Sequence, residues 1–257
     1  MAILFNGIVF GPIKSRRFGL SLGINLLPIR NKVCNFNCIY CECGWTDLSK
    51  EKIVYFDFNH IIQAIENKFQ ECFLKKVSID SVTFAGNGEP TMHPDFLRIV
   101  EATVELRNKY FQGVSIAILS NAALLGNKKV IKALLLADRR VMKLDAGSNQ
   151  LLNEINMPLT KKEIKWYVDK LKLFNGNVSI QTIFLKGNYN NRYIDNTTAC
   201  EIDLWLKALL EIGPKEVMIY TLDRETPAKD LEKVSPERLN EICELVIKKG
   251  INATVYL

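Results

Sequence analysis

Short apolar runs rich in β-branched residues alternate with amphipathic stretches along this sequence, and that rhythm restricts the folds open to it. Strands are expected over residues 18–26, 79–85, 114–119, 140–145, 178–185, 216–222 and 252–257. Helices are expected over 59–75, 94–110, 128–137, 161–174, 194–212 and 236–249. His93-Pro94 and Ser235-Pro236 read as helix starts and Gly250 as a helix stop. Strand–helix repetition of this kind builds a parallel sheet with helices outside, either open or curled into a barrel. The first strand bears on the choice. Phe18, Leu20, Leu22, Ile24 and Leu26 share one face, while Arg17, Gly19, Ser21, Gly23 and Asn25 share the other. A small, polar face does not suit an open parallel sheet buried on both sides. It suits the lumen of a partial barrel holding a polar ligand, with Gly19 and Gly23 leaving room for it. The alternative is an edge strand with one solvated face.

The sequence has 257 residues, 48% hydrophobic and 24% charged, which excludes wholesale disorder. No linker or short repeat divides it, so 1–257 reads as a single domain, with 1–17 an N-terminal extension. No apolar run approaches the roughly 18–20 residues of a membrane span. The first residues are apolar and then basic, the reverse of a secretory signal, so a cytoplasmic protein is expected. With 34 Lys+Arg against 28 Asp+Glu the net charge is +6. That admits an anionic partner without demanding a nucleic acid, since no long basic block occurs.

Four of the seven cysteines, Cys34, Cys38, Cys41 and Cys43, fall within ten residues, directly after the first expected strand. In a reducing compartment such clustering points to metal or redox chemistry. Cys34, Cys38 and Cys41 form C-x3-C-x2-C, and three thiolates on one loop can hold three irons of a [4Fe–4S] cluster, leaving the fourth open for chemistry. The other reading is a zinc site closed by Cys43, although structural zinc sites favour separated ligand pairs, often with histidine, and His60 and His93 lie far off. Cys72, Cys200 and Cys243 read as inert. After the second strand comes Gly86-Asn87-Gly88-Glu89-Pro90, which reads as a glycine-rich turn or as a ligand loop. In the second reading its amides meet a carboxylate and Glu89 accepts from an ammonium group, so the loop would grip both ends of an amino acid.

Together these motifs resemble those of the radical S-adenosylmethionine (SAM) superfamily. Cys34, Cys38 and Cys41, with Tyr40 before the third cysteine, look like its cluster ligands. Asn87-Gly88-Glu89-Pro90 looks like its "GGE" motif, with Asn87 in place of the first glycine. The resemblance implies a partial (β/α)6 barrel of the TIM type, an α/β fold with parallel strands inside. It implies a [4Fe–4S] cluster and SAM as cofactors, and an electron donor of flavodoxin or ferredoxin type. One-electron cleavage of SAM would then give a 5′-deoxyadenosyl radical that abstracts a substrate hydrogen. It also implies that Asn87, Gly88 and Glu89 hold the methionyl amine, and that Ser120 and Asn121 contact the ribose unless they merely cap a helix.

The unusual polar residues follow or end the expected strands, and so gather on the rim where parallel barrels place active sites. Lys143 and Asp145 share a strand face, as a catalytic pair or a structural ion pair. Gln181 offers a lumen amide, and Arg224, Arg16 and Arg17 could clamp an anionic group or pair locally. Three longer segments, 11–25, 88–94 and 143–147, resemble the subgroup related to the wybutosine-synthesis enzymes, the 4-demethylwyosine synthases of tRNA. Those enzymes carry a second cluster with ligands upstream of the SAM loop, and this sequence has no cysteine before Cys34. A tRNA substrate finds no support in the weak net charge. Two other functions stay open: a glycyl-radical activase acting on a partner protein, and a noncatalytic zinc- or cluster-binding protein on the same barrel.

Overall fold

The structure, a computed structural model, describes residues 3–46 and 53–257, so the last four residues of the cluster loop expected over 34–50 lie outside the described residues. Strands β1 (Val9–Ser15) and β2 (Gly19–Ile24) form an antiparallel hairpin. Then come α1 (Phe58–Leu74), β3 (Ser81–Phe84), α2 (Phe96–Tyr110), β4 (Ser115–Ser120), α3 (Lys128–Leu136) and β5 (Arg139–Lys143). Helices α4 (Asn149–Asn156) and α5 (Ile164–Leu171) precede β6 (Ser179–Ile183), β7 (Leu185–Tyr189) and β8 (Arg192–Asp195). The chain ends through α6 (Ala199–Ile212), β9 (Glu216–Tyr220), β10 (Asp230–Lys233), α7 (Pro236–Lys248) and β11 (Ala253–Tyr256). One curled eight-stranded sheet runs β1-β2-β3-β4-β5-β6-β9-β11, and every pairing in it except β1 with β2 is parallel. This is the expected partial barrel of the TIM type, with the helices outside.

Helix α1 shows why the outer layer holds. Asp57 caps it, accepting from the His60 amide at 3.0 Å, and Ile61, Ile65 and Phe69 recur every four residues as a buried stripe. Each such side chain contributes about 1.5–3 kcal/mol by leaving water. Leu22 and Ile24 of β2 join this helix-facing core, while Ser21 lies on the lumen side, its hydroxyl 2.8 Å from that of Thr83. The barrel interior carries its own small apolar plug of Phe18, Ala117, Val141 and Met218.

Some expectations fail in informative ways. β2 is no edge strand, because β1, within the expected N-terminal extension, covers it. Phe18 belongs to the lumen and not to the helix face, because Gly19, at φ +69°, breaks the alternation. Gly23 leaves no room for a ligand: a Cβ there would stand 2.0 Å from the Phe10 ring, which crosses from β1 to fill the space. The segment starting at Ile194, expected to be helical, begins as β8. It pairs with β7 and, through β7, joins β10 in a small antiparallel sheet outside the barrel.

Candidate active site

The cysteine loop leaves the end of β2 and is fastened by backbone bonds. Val33 donates to the Asn87 carbonyl at 2.9 Å and accepts from the Glu89 amide at 3.0 Å, which docks the loop on the residues after β3. Gly88 makes this approach feasible. Its φ is +136°, and a Cβ would sit 1.9 Å from the Val33 oxygen. Farther along, the Ile39 amide donates to the Ile155 carbonyl at the end of α4, and its own carbonyl accepts from Ala228. Gly88→Ala should therefore separate the two loops. The expected result is at least a tenfold loss of SAM affinity, measured by equilibrium dialysis, in a protein whose far-UV circular dichroism is unchanged.

Cys34 and Cys38 are buried, Cys41 and Cys43 half-buried, and all four line one cavity of about 250 Å³. Donors surround the sulfurs. The Phe36 amide reaches Cys34 Sγ at 3.4 Å, Asn121 Nδ2 reaches the same sulfur at 3.7 Å, and Asn156 Nδ2 reaches Cys38 Sγ at 3.4 Å. Burial pushes the Cys34 thiol up to about 12 and also raises Cys38. A hydrogen bond from Cys43, together with the Lys32 ammonium, pulls Cys41 down to about 5. Burial opposes the charge on Lys32, yet the thiols of Cys41, Cys38 and Cys34 outweigh it and raise its pKa. Among the described residues, no three His, Cys, Asp or Glu side chains converge closely enough to hold a single metal ion. The donor set fits a cluster better: the Cys34, Cys38 and Cys41 thiols line one cavity and could each hold an iron, and N–H groups of the kind that tune such clusters reach the first two sulfurs.

The GNGEP side chains are occupied inside the protein. Glu89 is buried, and its carboxylate accepts from the Thr91 amide at 3.2 Å and hydroxyl at 2.5 Å, the Ser120 hydroxyl at 2.8 Å and the Asn121 amide at 2.7 Å. Burial raises its pKa and these four donors oppose the rise. Glu89 thus braces the ends of β3 and β4 against each other. The Asn87 side chain points away from the cavity, exchanging hydrogen bonds with the Phe5 backbone at 2.8 and 2.9 Å and donating to the Pro28 carbonyl at 2.9 Å. Asparagine at this position ties down the N-terminal segment, something glycine could not do. Gly88, Ser120 and Asn121 do line the cavity. Neither Ser120 nor Asn121 caps α3, whose N-cap is Asn127.

Lys143 lines the same cavity, its ammonium 4.9 Å from the Tyr40 ring centroid and 3.4 Å from Asp145 Oδ2. Asp145 is fully buried behind it, accepting from the Tyr40 hydroxyl, from Asn156 Nδ2 at 2.7 Å and from the Ile183 amide at 3.1 Å. Arg224 is not brought to this group. It pairs with Glu42 at 2.8 Å on the rim of a neighbouring cleft of about 290 Å³. Cavity and cleft share Arg17, Tyr40, Cys41 and Tyr220. Sequence reasoning overlooked Lys32, Asn156 and Tyr220. Tyr220 could have been found from its register on β9, two residues beyond Met218 of the lumen plug, and Lys32 from its closeness to Cys34. Asn156 lies 118 residues from Cys38, and only the fold joins them.

Comparison with known proteins agrees with this arrangement. The sequence profile of the radical SAM superfamily matches residues 29–200. Over 241 residues, 91% of this chain, the sequence is 30% identical to a protein named GTPase Obg from Brachyspira hyodysenteriae, of which it spans 32%. It is 31% identical over 235 residues, 90% of this chain, to a UPF0026 protein of Helicobacter pylori, of which it spans 71%. In fold it resembles a radical SAM methyltransferase from Sphaerobacter thermophilus, with TM-score 0.65, 13% identity and coverage of 91% of this chain and 65% of that one. It also resembles archaeal TYW1, with TM-score 0.55, 10% identity and coverage of 89% and 71%. Among the described residues no helix is long and apolar enough to cross a membrane. Members of the superfamily bind a [4Fe–4S] cluster and SAM, and this chain, matched over two thirds of its length and carrying the three-cysteine loop on the rim of a partial barrel, belongs to the radical SAM superfamily of enzymes.

Proposed function

We propose that residues 1–257 work as one radical SAM domain in which Cys34, Cys38 and Cys41 hold the cluster, and in which the cavity they share with Gly88, Ser120 and Asn121 receives SAM. A cluster held there would supply the single electron, drawn from a flavodoxin- or ferredoxin-type donor, that splits SAM into methionine and a 5′-deoxyadenosyl radical able to take a hydrogen from the substrate. The chain's own share is placement. The observation that carries this reading is the meeting of three thiols, the Gly88 backbone and the Lys143 ammonium in one cavity, although they come from separate strand ends. Gly88 presents bare backbone to the methionyl end of SAM, and Ser120 and Asn121 stand beside it for the ribose. Glu89 acts on SAM as a brace through these neighbours, since its oxygens already have donors. Tyr40, within the cysteine loop, lines the cavity and hands its hydroxyl to Asp145. Lys143, held charged by Asp145 against the cost of burial, faces the substrate. Arg224, through Glu42, steadies the rim of the cleft by which substrate enters.

Purified and reconstituted without oxygen, the protein should hold about four irons per chain and form 5′-deoxyadenosine from SAM when given dithionite. The reduced protein should give an EPR signal that changes when SAM is added. A colourless protein with stoichiometric zinc after reconstitution would overturn this function.

A further inference from the structure

Arg17 lines both the cavity and the cleft, and the two arginines whose charges act on it, Arg16 and Arg139, are neutralised. Arg16 pairs with Asp223 at 3.4 Å, and Arg139 pairs with Glu216 at 3.2 Å. Arg17 has no carboxylate partner among the described residues. Its one side-chain hydrogen bond is neutral, Nη1 donating to Gln181 Oε1 at 2.6 Å. It is half-buried, and its guanidinium lies over the Phe18 ring at 5.4 Å and the Tyr220 ring at 5.3 Å, so it cannot swing freely into water. A guanidinium fixed in this way keeps N–H donors aimed at a set place, the arrangement that carboxylates and phosphates match with two parallel bonds.

The neighbouring groups are donors as well. With Gln181 Oε1 taken by Arg17, the Gln181 amide hydrogens remain, and neither they nor the Tyr220 hydroxyl meets an acceptor among the described residues. Lys143 pairs with Gln181 across β5 and β6, and its one carboxylate, Asp145, already serves three other donors. A half-buried cation beside two further arginines, whose one side-chain acceptor among the described residues is a neutral amide oxygen, is unfavourable unless an anion completes it. The one anion that SAM would bring is its methionyl carboxylate, and the placement proposed above keeps it with Gly88, after β3, whereas Gln181 and Tyr220 belong to β6 and β9, at least three places along the sheet.

We infer that Arg17, with Gln181 and Tyr220, forms an oxyanion site at the junction of cavity and cleft, and that the substrate is a small molecule whose carboxylate or phosphate binds there. Substrate identity in this sense rests on the function proposed above, whereas the anion site itself does not. The cleft of about 290 Å³ that opens onto Arg17 is at the size of a small-molecule pocket. An anion held at Arg17 would leave the rest of the substrate directed past Tyr40 and Tyr220 toward the cysteines.

Arginine modification tests the site without any need to know the substrate. Cluster-loaded protein is treated with phenylglyoxal at fixed ionic strength in chloride, inorganic phosphate or acetate, and modification of Arg17 is followed by peptide mass spectrometry. Phosphate or acetate should slow modification of Arg17 at least fivefold relative to chloride, with Arg16 and Arg139 as internal references. Protection by phosphate alone assigns a phosphate substrate, and by acetate alone a carboxylate. The same anions should raise the melting temperature of the wild type saturably, Arg17→Gln should lose that rise, and Arg17→Lys should keep part of it. If Arg17→Gln fails to fold, protection in the wild type decides alone. Equal modification rates in all three salts would overturn the anion site. SAM cleavage by the wild type is scored separately: protection without cleavage would sink the radical function and keep the anion site, and cleavage without protection would do the reverse.

Discussion

Cys34→Ala, Cys38→Ala and Cys41→Ala are each expected to lower iron from about four to below about one per chain and to abolish 5′-deoxyadenosine formation, whereas Cys43→Ala keeps both near wild type. All four thiols line the cavity, so lining alone does not separate them. Their surroundings do. Cys34 receives the Phe36 amide and Asn121 Nδ2, and Cys38 receives Asn156 Nδ2, donors that stabilise sulfur as a thiolate. Cys43 instead donates, to the Gly86 carbonyl at 3.5 Å and to Cys41, and among the described residues no amide donor reaches its own sulfur. A thiol held as a donor is a poor metal ligand until its proton leaves. Iron assay and anaerobic SAM turnover on the four variants check this. Loss of iron in Cys43→Ala as complete as in Cys38→Ala would mean a closed four-cysteine site with no iron free for SAM.

What the sequence made legible was what lies close along the chain or repeats with a fixed period. The three-cysteine spacing is local, and the alternation of Ser21 with Leu22 and Ile24 needs only the pleat, so loop and lumen face were readable. β1 was hidden because Gly11-Pro12 interrupts its pattern. Proline without an N–H signals an edge or a bulge, and the β1–β2 register shifts between Phe10 and Ile13. The emptiness expected at Gly23 was an error of a different kind. A missing side chain marks space, but only the fold shows that Phe10 takes it. Glu89 carries the same lesson. Its motif suggested a free carboxylate, while Thr91, Ser120 and Asn121, two of them on another strand end, occupy it. Asn156 could not have been read at all, since its amide bridges Cys38 and Asp145 from the far end of α4.

That bridge decides what the Lys143–Asp145 pair does, because it makes the two residues unequal. Asp145 is the hub. Its Oδ2 takes the Tyr40 hydroxyl, the Asn156 amide and the Lys143 ammonium, and its Oδ1 takes the Ile183 backbone. Through Tyr40 and Asn156 it reaches two points of the cysteine loop, so it is a positioning residue. In Asp145→Asn the new NH2 must face donors in either orientation, and Lys143 keeps its charge and its hydrogen bond to the Tyr40 hydroxyl but loses its carboxylate partner. Breaking a buried pair from one side costs about 3–5 kcal/mol. At roughly 2–4 °C per kcal/mol for a chain of this size, the melting temperature should fall by roughly 6–20 °C, with part of the iron lost. Lys143→Met should behave differently. The carboxylate keeps three donors, so iron loading stays intact and melting falls by only a few degrees, while turnover with substrate drops tenfold or more because the cavity loses its ammonium. The double variant gives the sharpest measurement. Removing Lys143 from Asp145→Asn takes away the stranded charge, so Lys143→Met with Asp145→Asn should melt above Asp145→Asn alone, a coupling that independent sites do not show. Simple addition of the two losses would mean that Asp145 stabilises the loop without regard to Lys143. Undiminished turnover in Lys143→Met would leave the ammonium a structural counterion and move the substrate-facing chemistry elsewhere in the cavity.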